Sequence, residues 1–112
     1  MKQEKFFLIS DATFLGRKVA NFKWDNFDAH LENGFYRNIE GNLAGATISM
    51  DEAVKNACEH LDISINEAIK MATCRVASAI NMDNEIGKIK KGFPAHFVTF
   101  NNDFSTVESL VY

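Results

Sequence analysis

Ser49-Met50-Asp51-Glu52-Ala53-Val54-Lys55-Asn56-Ala57-Cys58-Glu59-His60-Leu61 reads as a single helix with its start signal attached. The Ser49 hydroxyl can accept from a first-turn amide while Glu52 reaches back to the cap's own N–H, the reciprocal pairing of a capping box. Behind it Met50, Ala53, Val54, Ala57, Cys58 and Leu61 recur in steps of three and four, which places them on one apolar face. Ser64-Ile65-Asn66-Glu67 repeats the box, and Ala68, Ile69, Ala72, Val76, Ala79 and Ile80 continue the pattern as one second helix. The short link Asp62-Ile63 makes the two helices neighbours. On both sides of this pair the apolar residues alternate with period two, so the order strands, two helices, strands predicts an α+β fold.

Upstream, Asn33-Gly34 reads as a tight hairpin turn, because both central positions of a type I′ turn need positive φ. Phe27, Ala29 and Leu31 alternate with polar residues before it, as do Ala20, Phe22 and Trp24, and Phe35 to Ile39 forms the returning strand. Phe6 to Ser10 is a compact apolar run that predicts a strand covered on both faces, the kind found in parallel sheets. Downstream, strands are expected at Ile86 to Ile89, at Ala95 to Phe100 behind Pro94, and at Thr106 to Tyr112 after the turn-like Asn101-Asn102-Asp103.

Composition narrows the function classes. The chain has 112 residues, 46% of them hydrophobic and 24% charged, which suits an ordinary globular chain folding as a single compact unit over 1–112. Twelve Lys and Arg against 15 Asp and Glu leave a net charge of −3, which argues against nucleic acid as a partner. Phe6-Phe7-Leu8-Ile9 is too short for a signal-peptide core, and no stretch approaches a membrane span, so neither export nor a membrane partner is expected. Cys58 and Cys74 lack metal-finger spacing and are read as reduced thiols in the cytoplasm.

Three places could carry chemistry. Asp11 follows the apolar run at the end where α/β sheets and barrels place their active-site mouths, although a turn or cap aspartate before Thr13 is the plainer reading of position alone. The loop Gly41-Asn42-Leu43-Ala44-Gly45-Ala46 could bring backbone amides to a ligand oxygen, but it lacks a phosphate-loop ending and also reads as a plain β-to-α connection. Asp28 and His30 share the polar face of a strand without a third ligand nearby, and His60 and His96 read as structural or solvated. Cys58 belongs to the helix's apolar stripe, and Cys74 has no base beside it.

Several segments together resemble a known family. Ser10-Asp11-Ala12-Thr13, Leu31-Glu32-Asn33-Gly34, Gly41-Asn42-Leu43-Ala44-Gly45-Ala46-Thr47-Ile48-Ser49-Met50-Asp51-Glu52-Ala53-Val54, Ala68-Ile69-Lys70-Met71-Ala72-Thr73 and Ile86-Gly87-Lys88-Ile89-Lys90-Lys91-Gly92 resemble, in this order, the C-terminal part of the N-acetylglucosamine-6-phosphate deacetylases of the amidohydrolase superfamily. The resemblance implies a C-terminal fragment of a metal-dependent α/β barrel: the last barrel strand, a hairpin and two helices in 1–82, then strands of a small β-domain in 83–112. A whole barrel needs about 250 residues. It further implies that Asp11 matches the aspartate that takes a proton from the metal-bound water and returns it to the departing amine. Leu43, Ala44 and Gly45 match the loop that lines the amino-sugar phosphate pocket. The complete enzyme would use a divalent metal, zinc or similar, and the family's glutamate and two histidine ligands have no counterpart here, so no metal is expected on this chain alone. Bare strand edges at Phe6 to Ile9 imply a homo-oligomer. A fragment of another amidohydrolase and a non-catalytic α+β module are the alternatives.

Overall fold

The structure is a computed structural model that describes residues 5–13, 15, 16 and 19–111. Residues 1–4, and Tyr112 at the end of the last expected strand, lie outside the described residues. Helices and sheet are mixed, in two compact units: residues 10–49, and residues 5–9 together with 50–111.

The unit of residues 10–49 is a meander of four antiparallel strands in sequence order, β1 (Asn21–Trp24), β2 (Phe27–Glu32), β3 (Phe35–Arg37) and β4 (Leu43–Ala46). The Asn33-Gly34 turn forms where expected, with φ of 51° and 83°, and sets Glu32 opposite Phe35 and Leu31 opposite Tyr36. A side chain at 34 would meet nothing nearby, so glycine is required there by backbone conformation and not by space. Alternation then decides what is inside. Ala29 and Tyr36 join Leu15 in the core, with Phe22, Phe27 and Ala44 packed against them. Tyr36 is fully buried and its hydroxyl donates to the Val19 carbonyl at 3.1 Å, which satisfies the one polar atom its ring carries inside. Trp24, at the end of β1, is 70% exposed.

In the other unit, α1 (Met50–Leu61) and α2 (Ile65–Ala72) begin where their capping boxes say. Val54, Ala57 and Ala68 form the core between them, with Leu8, Cys58, Ile63, Ile69, Ala72 and Phe104 around it. The Ser64 hydroxyl accepts from the Glu67 N–H at 3.3 Å, while the Glu67 carboxylate pairs with Lys70 at 2.6 Å and with Arg75. The strands β5 (His96–Phe100) and β6 (Val107–Val111) pair antiparallel, and the stacked rings of Phe100 and Phe104 lie at the turn between them.

Four sequence expectations need correction. Phe6 to Ser10 is not a strand: the Leu8 N–H is used by the Met71 carbonyl at the end of α2, and Phe6, Phe7 and Ile9 are exposed instead of covered. Among the described residues parallel pairing is confined to one bridge between Ala12 and Ala46, and the four-stranded sheet is antiparallel. The second helix breaks at Thr73, whose hydroxyl bonds back to the Ile69 carbonyl and whose N–H reaches Lys70, one residue short of helical spacing. A short α3 (Cys74–Ala79) follows it. Ala77 is buried there in place of Ala79 and Ile80, which are exposed, because the break resets the helix phase. Ile86 to Ile89 is not a strand but a bent segment after a turn at 83–85; the Glu85 and Ile86 amides both return to the Met82 carbonyl, and Gly87 has φ of 84°.

Candidate functional site

Asp11 and the Gly41-to-Ala46 segment, far apart in sequence, meet in the unit of residues 10–49. The segment is not the open loop its composition suggests. Asn38 begins a turn in which its carbonyl accepts from Gly41 and its side chain accepts from the Asn42 N–H, and Leu43–Ala46 then runs back along β3 as β4. Arg37 clamps this turn by donating to the Gly41 carbonyl at 2.9 Å while pairing with Glu32 at 3.1 Å.

The register of β4 explains the rest. Phe35 pairs with Ala46 and Arg37 with Leu43, so Tyr36 alone on β3 stands opposite both Ala44 and Gly45. Two residues facing one make a bulge, which bends the strand and re-aims its groups. Leu43 is 59% exposed, Ala44 packs on the core around Tyr36, and Gly45 is buried. Beyond the bulge, the Ala46 N–H donates to the Asp11 carbonyl at 2.9 Å. Asp11 is exposed and has φ of 50°, in the left-handed region that aspartate tolerates better than most residues. Its neighbour Ala12 donates to the Ser10 hydroxyl at 3.3 Å. The arrangement presents an unshielded carboxylate on a backbone pinned from one side, beside a strand with an exposed Leu43. Such a carboxylate can take and return a proton.

The other sequence candidates separate from this pair. Asp28 faces Lys23 across β1 and β2, and its Oδ1 accepts from the Ile39 N–H, so its carboxylate ties down the β3–β4 turn. His30 lies between Asn21 and Arg37 in register. His60 closes the last turn of α1, and His96 opens β5. Among the described residues no three His, Cys, Asp or Glu side chains come together as a metal site, so this donor set does not fit a resident metal ion. Cys58 packs on the helix core and Cys74 starts α3; both thiols are free. A groove of about 1080 Å³ in the helical unit, lined by Val54, Ile69, Phe93, Phe97 and Phe104 among others, holds neither Asp11 nor β4. No helix among the described residues is long and apolar enough to cross a membrane. From the sequence, Thr13 and Ala46 stand out only as members of their segments, with no role of their own. Their part becomes visible only with the bridge to β4, and the glycine at 45 is the one local hint of a close approach.

Known proteins match this arrangement over nearly its whole length. A deacetylase for N-acetylglucosamine 6-phosphate from Haemophilus influenzae is 27% identical over 99% of this chain and 30% of its own. A deacetylase for N-acetylgalactosamine 6-phosphate from Escherichia coli O157:H7 is 31% identical over 89% of this chain and 27% of its own. Among solved structures, the N-acetylglucosamine-6-phosphate deacetylase of Pasteurella multocida superposes with a TM-score of 0.88 at 30% identity, covering 96% of this chain and 29% of that one. The chain therefore spans about 30% of the length of these relatives. The sequence profile of the amidohydrolase family matches residues 5–110, a span that takes in both Asp11 and the bulged β4 beside it, and the chain belongs to that family.

Proposed function

We propose that the chain is the C-terminal segment of an amino-sugar-phosphate deacetylase, which hydrolyses the acetamide of N-acetylglucosamine 6-phosphate to acetate and glucosamine 6-phosphate. The observation that carries this reading is the hydrogen bond from Ala46 to the Asp11 carbonyl, which joins the two resembling segments in one place. Asp11 is the proton carrier: its carboxylate takes a proton from the attacking water and delivers it to the nitrogen as the C–N bond breaks. Leu43, Ala44 and Gly45 line the sugar-phosphate pocket. In the same reading, residues 1–82 derive from an α/β barrel and 83–112 from a small β-domain. A divalent cation such as zinc would be held by residues outside this chain. The protein works in the cytoplasm, and it associates as a homo-oligomer through the exposed side chains of Phe6, Phe7 and Ile9.

The test uses two proteins. The 112-residue chain alone is expected to release no acetate from N-acetylglucosamine 6-phosphate. Fused behind the part of the Haemophilus relative that it does not match, it is expected to support turnover, and Asp11→Asn should lower kcat by about 10²–10⁴-fold with KM little changed. Acetate release by the isolated chain that survives a chelator would overturn the assignment of roles.

A further inference from the structure

We propose that Gly45 is a positioning residue for Asp11, acting through the backbone and by its lack of a side chain. Left-handed backbone at a non-glycine residue persists only where its surroundings hold it. At Asp11 the restraints are the Ala46 N–H on its carbonyl at 2.9 Å and the Ser10 hydroxyl on the next amide at 3.3 Å. The first restraint needs β4 to lie directly against residues 11–13. A Cβ at 45 would collide with the Thr13 methyl and stand 3.1 Å from the Asp11 carbonyl oxygen, close enough that the oxygen would have to give way by a few tenths of an ångström. Gly45 also has φ of 119°, a conformation that residues with a side chain rarely adopt. The bulge opposite Tyr36 turns the strand so that Ala46, the next residue, presents its N–H to Asp11. Gly45 thus sets where the Asp11 carboxylate starts from without touching a reacting group. The inference rests on Asp11 being the proton carrier, but its test does not pass through turnover, so the two can fail separately.

The experiment is NMR on the 112-residue chain and its Gly45→Ala variant. Expected are hydrogen exchange at the Ala46 amide faster by roughly tenfold or more, the mark of a local opening, and a changed HN–Hα coupling and carboxyl shift at Asp11. The Leu31 amide, which bonds to the Ala20 carbonyl just before β1, should keep its protection. Adding Thr13→Ser removes the obstructing methyl and keeps the oxygen that accepts from the Leu15 N–H, so the double variant should recover part of both signals. Unchanged Asp11 signals in Gly45→Ala overturn the proposal. So does a loss spread over all four strands that Thr13→Ser does not relieve, which is what a merely structural glycine would give. Should Gly45→Ala fail to fold, recovery of folding by Thr13→Ser supports the proposal and failure of both variants overturns it.

Discussion

At the scale of single residues, Tyr36 carries the core of the sheet unit. Its ring is fully buried against Leu15 and Ala29, and its hydroxyl has a defined acceptor. Tyr36→Phe should cost about 0.5–1.5 kcal/mol for the lost hydrogen bond, and Tyr36→Ala about 3–5 kcal/mol for the cavity, both read from urea denaturation. Glu67 offers a pH-dependent case. The hydrogen bond from Lys70, then the charges of Lys70 and Arg75, hold its carboxyl below the usual 4.5. A carboxyl lowered by folding stabilises the fold above its unfolded pKa, and that contribution disappears as pH falls through the lowered value. Thermal melts should therefore show Glu67→Gln below wild type by a small margin above pH 4.5, with the gap closing under more acid conditions. Asp11 shows how much a residue reveals from sequence. Its type and its place after an apolar run were legible, whereas its left-handed backbone depends on a partner at Ala46, 35 positions away, which no local pattern records.

At the scale of elements, legibility follows the range of the forces involved. The starts of α1 and α2 and the β2–β3 hairpin rest on neighbours in sequence, and each formed where it was expected. Ser64→Ala should accordingly cost about 1 kcal/mol, and Gly34→Ala about 1–2 kcal/mol for forcing a side chain into left-handed backbone, both measurable by thermal unfolding. The misread elements depend on competition. Thr73 is an acceptable helix residue until its hydroxyl takes the Ile69 carbonyl. Ala77 lies nine residues beyond Ala68, which at about 3.6 residues per turn is two and a half turns, the opposite face of an unbroken helix. Both are buried, so only the break reconciles them. Gly41 to Ala46 reads as a connection because small residues signal turns, yet its Leu43–Ala46 part is strand because Tyr36 supplies a surface that Ala44 and Gly45 fit.

At the scale of the whole molecule, two compact units of very different make-up share one short chain. Phe6, Phe7 and Ile9 are all exposed, and Ile9 is 68% so. Exposed apolar side chains grouped in this way mark surfaces where chains associate, so sedimentation should detect dimers at concentrations on the order of tens of micromolar, where weak association already shows. A single monomer across that range would remove the oligomer from the proposed function. The position of the one tryptophan bears on how any of these measurements is made. Trp24 already stands in water at the end of β1, so its excited indole relaxes against solvent in the folded state as it would in the unfolded one. Its emission should be red-shifted and open to acrylamide quenching from the start. Unfolding would then pass almost unseen by intrinsic fluorescence, while the near-ultraviolet dichroism of the enclosed Tyr36 ring would collapse.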